Sequence, residues 1–306
     1  MALELRDVTK RFGSHVAVNR LNLKVEEGEL FGLLGANGAG KTTTMRMILG
    51  LLAPTEGEIT WFGRRMGYDL SHQIGYLPEE RGLYPKLKVE EQLVYLARLR
   101  GMEKRKAQRQ LREWLERFHV SHYADKRVEE LSKGNQQKIQ FITAVLHQPK
   151  LLILDEPFSG LDPVNVELLK KAVLDLKKQG TTILFSSHRM EHVEELCRTL
   201  CILRNGEAVL QGDLAQIKRS YGKKTVRLRM AAEWPDLAAI QGVERVHRTA
   251  LGYEVKVRDE AVAQTILQEA LKVGEVTGFS LEEPSLHEIF IEKVGAAYDE
   301  GGGEGE

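Results

Sequence analysis

Apolar and polar residues alternate over residues 3–8 and again over 21–25, the period-two pattern of strands that bury one face. Residues 30–34 (LFGLL) break that pattern with a continuous apolar run closed by glycine, which suits a strand covered on both sides. From Lys41 the period lengthens to that of a helix, continuing to about Leu52 before Pro54 and Gly57 stop it. A further strand is predicted over 58–62. The middle of the chain reads differently. Val89, Leu93, Leu96 and Leu99 recur at helical spacing, as do Leu111, Trp114, Leu115 and Phe118, with charged residues between them. The pattern predicts a mainly helical insert, about residues 79–130, set into an α/β domain.

Beyond the insert, strand and helix alternate again. A buried strand is expected at 151–154 and another strand at 182–186. Between them, a helix at 164–178 turns Leu168, Leu169, Ala172, Val173 and Leu176 inward. Asn205-Gly206 between apolar stretches at 201–204 and 207–210 marks a hairpin. Such alternation implies a mostly parallel sheet covered on both faces. A boundary near 220–224 separates a first domain, 1–221, from a small α+β domain, 222–296, and a flexible tail, 297–306, of linker composition. The small domain reads as strand 226–230, helix 235–240, strands 243–247 and 253–257, helix 260–271, strand 275–279 and helix 285–293. Its first six elements follow the β-α-β-β-α-β order of the ferredoxin-like arrangement.

Composition narrows the class. The chain has 306 residues, 42% apolar and 29% charged, as in an ordinary globular protein with material for one large and one small domain. Lys+Arg and Asp+Glu both total 44, so no overall charge draws the chain to nucleic acid, and no nucleic-acid partner is expected. No apolar run approaches the roughly 18 residues of a membrane span, and the N-terminal MALELRDVTKRFG lacks the apolar core of a signal peptide. Two cysteines, Cys197 and Cys201, fit a reducing compartment. A soluble, cytoplasmic protein is the expectation.

Two motifs carry chemistry. GANGAGKT, at 35–42, has the spacing G-x-x-x-x-G-K-[ST] of a phosphate-binding loop: Gly35, Asn37, Gly38, Ala39, Gly40, Lys41 and Thr42, with Thr43 following. Glycines let backbone N–H groups approach phosphate oxygens, and the helix that follows offers its positive end. Lys41 is placed to neutralise the β- and γ-phosphates, and the Thr42 hydroxyl to ligate Mg²⁺. In LLILDE, at 151–156, a buried strand delivers Asp155 at its carboxyl end, where ligands bind in open α/β sheets. Asp155 can hold Mg²⁺ through water, and Glu156 can polarise an attacking water.

Three further segments complete a pattern. LSKGNQQ at 131–137 resembles the ABC signature L-S-G-G-Q, SGLD at 159–162 resembles the D-loop, and His188 resembles the switch histidine. With LSKGNQQ lying between the first two motifs, the five, over residues 1–221, resemble the ABC (ATP-binding cassette) ATPase family. The resemblance implies an α/β P-loop ABC ATPase fold with a helical insert, ATP and Mg²⁺ as cofactors, and hydrolysis of ATP with Glu156 and His188 as catalytic residues. It implies that Ser132, Lys133, Gly134 and Asn135, where a helix begins, meet the γ-phosphate held by a second subunit. Each site is then finished in trans, in a homodimer or heterodimer of ATPase subunits, with Asp162 communicating across the interface. Phe12 stands where the family stacks an aromatic ring on adenine.

The chain departs from the family pattern at Glu79, which replaces the Q-loop glutamine and brings a carboxylate within reach of Mg²⁺, and at Lys133 and Asn135 in the signature. His188 and His192 lie four apart, but Arg189 follows the first where a zinc-protease motif needs Glu, so zinc is not expected. Leu83, Tyr84 and Leu87 lie beside the Q-loop, where the family seats its membrane subunit, and suit a partner helix. With YLPEERGLYP and PSLHEIFIEKV, the chain is similar to exporter ATPases of the sodium-extrusion and drug-resistance type. That similarity implies a subunit powering a membrane exporter. Its partners would be membrane-spanning permease subunits on other chains, and it would sit peripherally on the inner face of the cell membrane. The alternative is an ABC ATPase acting on a soluble partner. A GTPase or small-molecule kinase lacks support, since no N-K-x-D motif occurs and neither explains LSKGN ahead of LLILDE.

Overall fold

The computed structural model describes residues 2–80, 82–222 and 224–294; the tail expected at 297–306 lies outside them. The chain forms two compact units that divide between Gln211 and Gly212, ahead of the boundary expected after residue 221. Asp213 begins a new element there: its Oδ1 accepts the Gln216 N–H at 3.1 Å and caps a short helix that the hydrophobic pattern did not separate.

The first unit opens with β1 (Leu3–Phe12), β2 (His15–Val25), β3 (Leu30–Gly35), α1 (Lys41–Ile48), β4 (Glu56–Trp61), β5 (Arg64–Arg65) and β6 (Ile74–Leu77). The helical segment follows as α2 (Val89–Leu99) and α3 (Lys104–Arg117). Then come α4 (Lys133–Val145), β7 (Leu151–Asp155), α5 (Pro163–Lys178), β8 (Thr182–Ser187), α6 (Met190–Leu196), β9 (Thr199–Arg204) and β10 (Glu207–Asp213). Two sheets result. One has the order β2-β1-β4-β5, the other β10-β9-β3-β8-β7-β6. In the second, β9, β3, β8, β7 and β6 pair in parallel, and every residue of β3, β7 and β8 is buried, as their unbroken apolar runs require. The core between the sheets and α1 holds Leu5, Leu23, Phe31, Met45, Trp61 and Ile153.

Several elements differ from the sequence reading. β1 and β2 run on to meet in a hairpin at Phe12 and His15, because the outer ends of both strands are exposed and so carry no alternation to read. α1 stops at Ile48, four residues short of the expected end, with Gly50 at a φ of 70°. β6 is a buried edge strand too short to show a period, pairing with β7 through Ile74 and Leu151.

The second unit contains α7 (Leu214–Ser220), β11 (Lys224–Met230), a 3₁₀ turn at Pro235–Ala239, β12 (Val243–Thr249), β13 (Gly252–Val257), α8 (Glu260–Val273), β14 (Val276–Glu282) and α9 (Leu286–Val294). Its strands pair antiparallel in the order β12-β13-β11-β14, the strand order of a ferredoxin-like sheet. The expected helix at 235–240 is only the 3₁₀ turn, begun by Pro235. Val226, Leu228, Val255, Val257, Ile266 and Ala270 form this unit's own core.

Candidate nucleotide-binding and catalytic site

The register of the central sheet builds the site. Leu34 pairs with Ser187 and Asp155 with Ser186, so the carboxyl ends of β3, β7 and β8 finish side by side. The loop after β3, Asp155 and the residues after β8 therefore leave the sheet at one edge, the place where parallel sheets bind ligands.

A cavity of about 440 Å³ opens there, lined by the loop from Ala36 to Thr43 with Phe12, Glu79, Asp155 and Glu156 among its walls. The loop curls tightly. At Gly40, φ is 103° and a Cβ would stand 2.6 Å from the Ala17 carbonyl oxygen, so only glycine fits before α1 begins. Lys41, buried, donates to the carbonyls of Gly35 at 2.7 Å and Ala36 at 3.1 Å. Burial holds its ammonium below the usual lysine range, while Glu156, Asp155 and Glu79 pull it back up. Phe12 is 50% exposed at the cavity wall, with the Lys10 ammonium 5.2 Å from its ring centre. A core phenylalanine would not be left so open, and a ring in that position is free to stack on a flat ligand.

Asp155 is anchored from both sides. The Thr42 hydroxyl donates to its Oδ2 at 3.1 Å, and the Ser186 hydroxyl donates to its Oδ1 at 2.5 Å. Ser186 also accepts the Glu156 N–H at 3.1 Å. This serine escaped the sequence reading, although its position two residues before His188 and opposite Asp155 in the register could have pointed to it. Glu156 adopts a φ of 49°, unusual for a side-chain-bearing residue, and the sharp turn points its carboxyl inward. His188 Nδ1 lies 2.9 Å from Glu156 Oε1, where the ring N–H donates. Burial raises the Glu156 carboxyl above its usual range, and the His188 contact opposes that shift.

Three carboxylates, Glu79, Asp155 and Glu156, face one lysine across this cavity. A divalent cation would offset this excess of negative charge beside a triphosphate. Among the described residues no cluster of three or more His, Cys, Asp or Glu could hold an ion. A hydroxyl beside a carboxylate, as Thr42 and Asp155 present, is the hard oxygen set that suits Mg²⁺.

The signature residues do not line the cavity. Ser132 is the N-cap of α4, its hydroxyl accepting the Asn135 N–H at 3.4 Å, so that N–H is already engaged. The Asn135 side chain is turned inward and donates to the Tyr123 hydroxyl at 3.1 Å, while Ser132 and Lys133 are exposed. Gly134 comes close to Leu161 of the D-loop: a Cβ there would be 3.6 Å from a Leu161 methyl. Asp162 caps α5 by accepting the Asn165 N–H at 3.1 Å, and hydrogen bonds from Asn165 hold its carboxyl low. His192 parts from His188, buried with its ring 4.7 Å from that of Phe158. Tyr84 is exposed, Leu87 is at the margin of exposure, and Leu83 is half-buried.

Comparisons with known proteins agree with this geometry. A family model described as ABC transporter matches residues 18–159, and one described as ATP-binding protein DrrA1-3-like, C-terminal domain, matches residues 212–294. The uncharacterized ABC transporter ATP-binding protein YhaQ of Bacillus subtilis (strain 168) is 61% identical over 297 residues, covering 97% of this chain and 100% of that one. The bacitracin transport ATP-binding protein BcrA of Bacillus licheniformis is 33% identical over 309 residues, covering 96% and 97%. A solved structure described as the ATP binding subunit of an ABC transporter superposes with a TM-score of 0.69 at 33% identity, covering 72% of this chain and 94% of that one. Likeness at this level, carried along nearly the whole chain, leaves one family: the protein belongs to the ABC transporter ATP-binding subunits and is an ATPase.

Proposed function

We propose that this ATPase powers a membrane exporter whose permease subunits are other chains and dock on residues 82–87. The observation that carries this reading is the exposure of Tyr84 and Leu87, 58% and 39%, on the loop that starts at the site carboxylate Glu79. Tyr84 is held for contact. Gln92 of α2 accepts the Tyr84 N–H at 3.2 Å and donates to the Tyr84 carbonyl at 3.4 Å, so a buried amide fixes the backbone under an exposed ring. The likeness to a bacitracin transport subunit supports a transport role. Among the described residues no helix is long and apolar enough to cross a membrane, and the reading assigns the pathway to the permease. The chain would then sit at the inner face of the cell membrane through its partner.

In this reading the loop from Gly35 to Thr43 holds the triphosphate of ATP, Lys41 compensates its charge, and Phe12 stacks on the adenine. Thr42, Asp155 and Glu79 hold Mg²⁺, which when bound withdraws charge from the phosphate oxygens. Glu156 takes a proton from the attacking water. His188 keeps one carboxylate oxygen of Glu156 in place and leaves the other for that water. Ser132, Lys133, Gly134 and Asn135 close the site of a second subunit, whether a copy of this chain or a relative, and Asp162 lies at that interface.

The test is recovery of partners from detergent-solubilised membranes of the native cell, comparing the natural chain with a Leu83→Ala/Tyr84→Ala variant. A polytopic membrane protein recovered by the first and not the second is the expected result. Recovery of soluble proteins alone, equally by both, would move the soluble-partner reading to the front.

A further inference from the structure

The helix that begins at the signature also governs the loop that carries Glu79. One face of α4, made by Gln140 and Ala144 and continued by His147 just past its end, runs along β6 in the opposite sense. At one end His147 Nε2 lies 2.9 Å from the Ile74 carbonyl oxygen. In the middle, a Cβ on Gly75 would stand 2.1 Å from the Ala144 carbonyl oxygen, so helix and strand touch where only glycine permits it. At the other end Gln140 Nε2 donates to the Pro78 carbonyl at 3.2 Å and to the Glu80 carbonyl at 3.0 Å. These two carbonyls flank Glu79.

Gln140 is 4% exposed, and its buried Oε1 has no hydrogen-bond partner. A buried acceptor left unpaired lowers stability, and an apolar side chain of the same length would avoid that loss. The position therefore needs the donor half of the amide. Three residues earlier on the same helix, Gln137 donates to the Pro157 carbonyl at 3.0 Å, directly after Glu156. One helix, with Ser132 at its start, thus holds the backbone beside both Glu79 and Glu156.

We propose that Gln140 is a positioning residue: by fixing the carbonyls on either side of Glu79 it sets that carboxylate against Thr42 and Asp155, and it ties this placement to the helix of the signature. The inference rests on the reading of Glu79 as a group on the Mg²⁺ side of the site. If Glu79 is held there, Mg²⁺ strengthens ATP binding partly through it, and releasing the loop loses that part of the gain. ATP binding without metal does not depend on Gln140.

The experiment measures equilibrium ATP affinity with and without Mg²⁺, in the full chain carrying Glu156→Gln so that no hydrolysis intervenes. Gln140→Leu should lose about 5- to 10-fold of the Mg²⁺-dependent gain with metal-free affinity unchanged, Glu79→Ala should lose a similar amount, and the double variant should lose no more than either. Gln140→Met keeps the chain unbranched and serves should the leucine variant fail to fold. An unchanged Mg²⁺ gain in the Gln140 variants, or losses that multiply in the double variant, overturns the proposal. A full Mg²⁺ gain in Glu79→Ala removes the Glu79 reading and the proposal with it, while the export reading stands or falls on membrane-partner recovery alone.

Discussion

His188 places its ring Nδ1 2.9 Å from Oε1 of Glu156, so a half-exposed imidazole holds a carboxylate whose side chain is only 8% exposed. The pair joins two strands, since Glu156 follows β7 and His188 follows β8, and Ser186 ties the same two ends through Asp155. The Glu156 carboxyl is thereby held by the sheet rather than by a free loop.

Glu156→Gln keeps the size and the inward turn of the side chain but removes the base. ATP binding should persist while turnover falls about 10²- to 10⁴-fold, as phosphate release at saturating ATP will show. Turnover equal to the natural chain would remove Glu156 from the catalytic role.

The acid limb of turnover follows from the same carboxyl. Burial raises its pKa, so the ionised base is lost as pH falls through a value above the ordinary range of about 4.3 for glutamate. His188 opposes that shift, and removing it lets the carboxyl rise further. In His188→Ala the residual turnover, scaled to its own plateau, should fall off at higher pH than in the natural chain. An acid limb that stays put or moves lower contradicts the pairing.

Ser132 separates a structural from a functional role because aspartate also caps helices. Ser132→Asp should keep α4 capped and the melting temperature within a few degrees, yet repel a partner's phosphate. Gel filtration with ATP, in the Glu156→Gln background, should show dimer for the natural residue and monomer for the variant, with nucleotide binding by the monomer retained. A dimer in both would mean that the signature does not close the site in trans.

His147 predicts a pH-dependent stability. Burial pushes its pKa down to about 4, against an ordinary value of about 6.5. Because the folded value is depressed, the stabilisation is complete above 6.5 and is lost as pH falls towards 4, where the unfolded chain binds a proton that the folded chain refuses. Thermal melts of the natural chain should fall across that window more steeply than those of His147→Gln. Parallel curves would show that the ring already titrates normally in the fold.

Much of this was legible in the sequence because it is local. Spacing alone marks Gly35 to Thr42 as a phosphate loop, since two glycines, a lysine and a hydroxyl must follow a buried strand at fixed intervals. The unbroken run before Asp155 likewise marks a strand buried on both faces, and the turn at Asn205-Gly206 separates strands that do pair. Pairing of β11 between β13 and β14 was implied by the order of elements, though the turn at Pro235 proved too short for a helix.

What the tertiary structure alone decided concerns groups that meet without a sequence relation. Ser186 reaches Asp155 because parallel strands register them side by side, 31 positions apart. Gln140 meets Pro78 and Glu80 across 62 and 60 positions, through a helix pressed onto β6 at Gly75. Nothing local in the chain marks β6 as a strand or Gln140 as more than one of several polar residues on its helix. Period and motif record what a residue does with its near neighbours; register and close packing, which fix distant groups to within a hydrogen bond, exist only once the sheet and its helices have closed around one another.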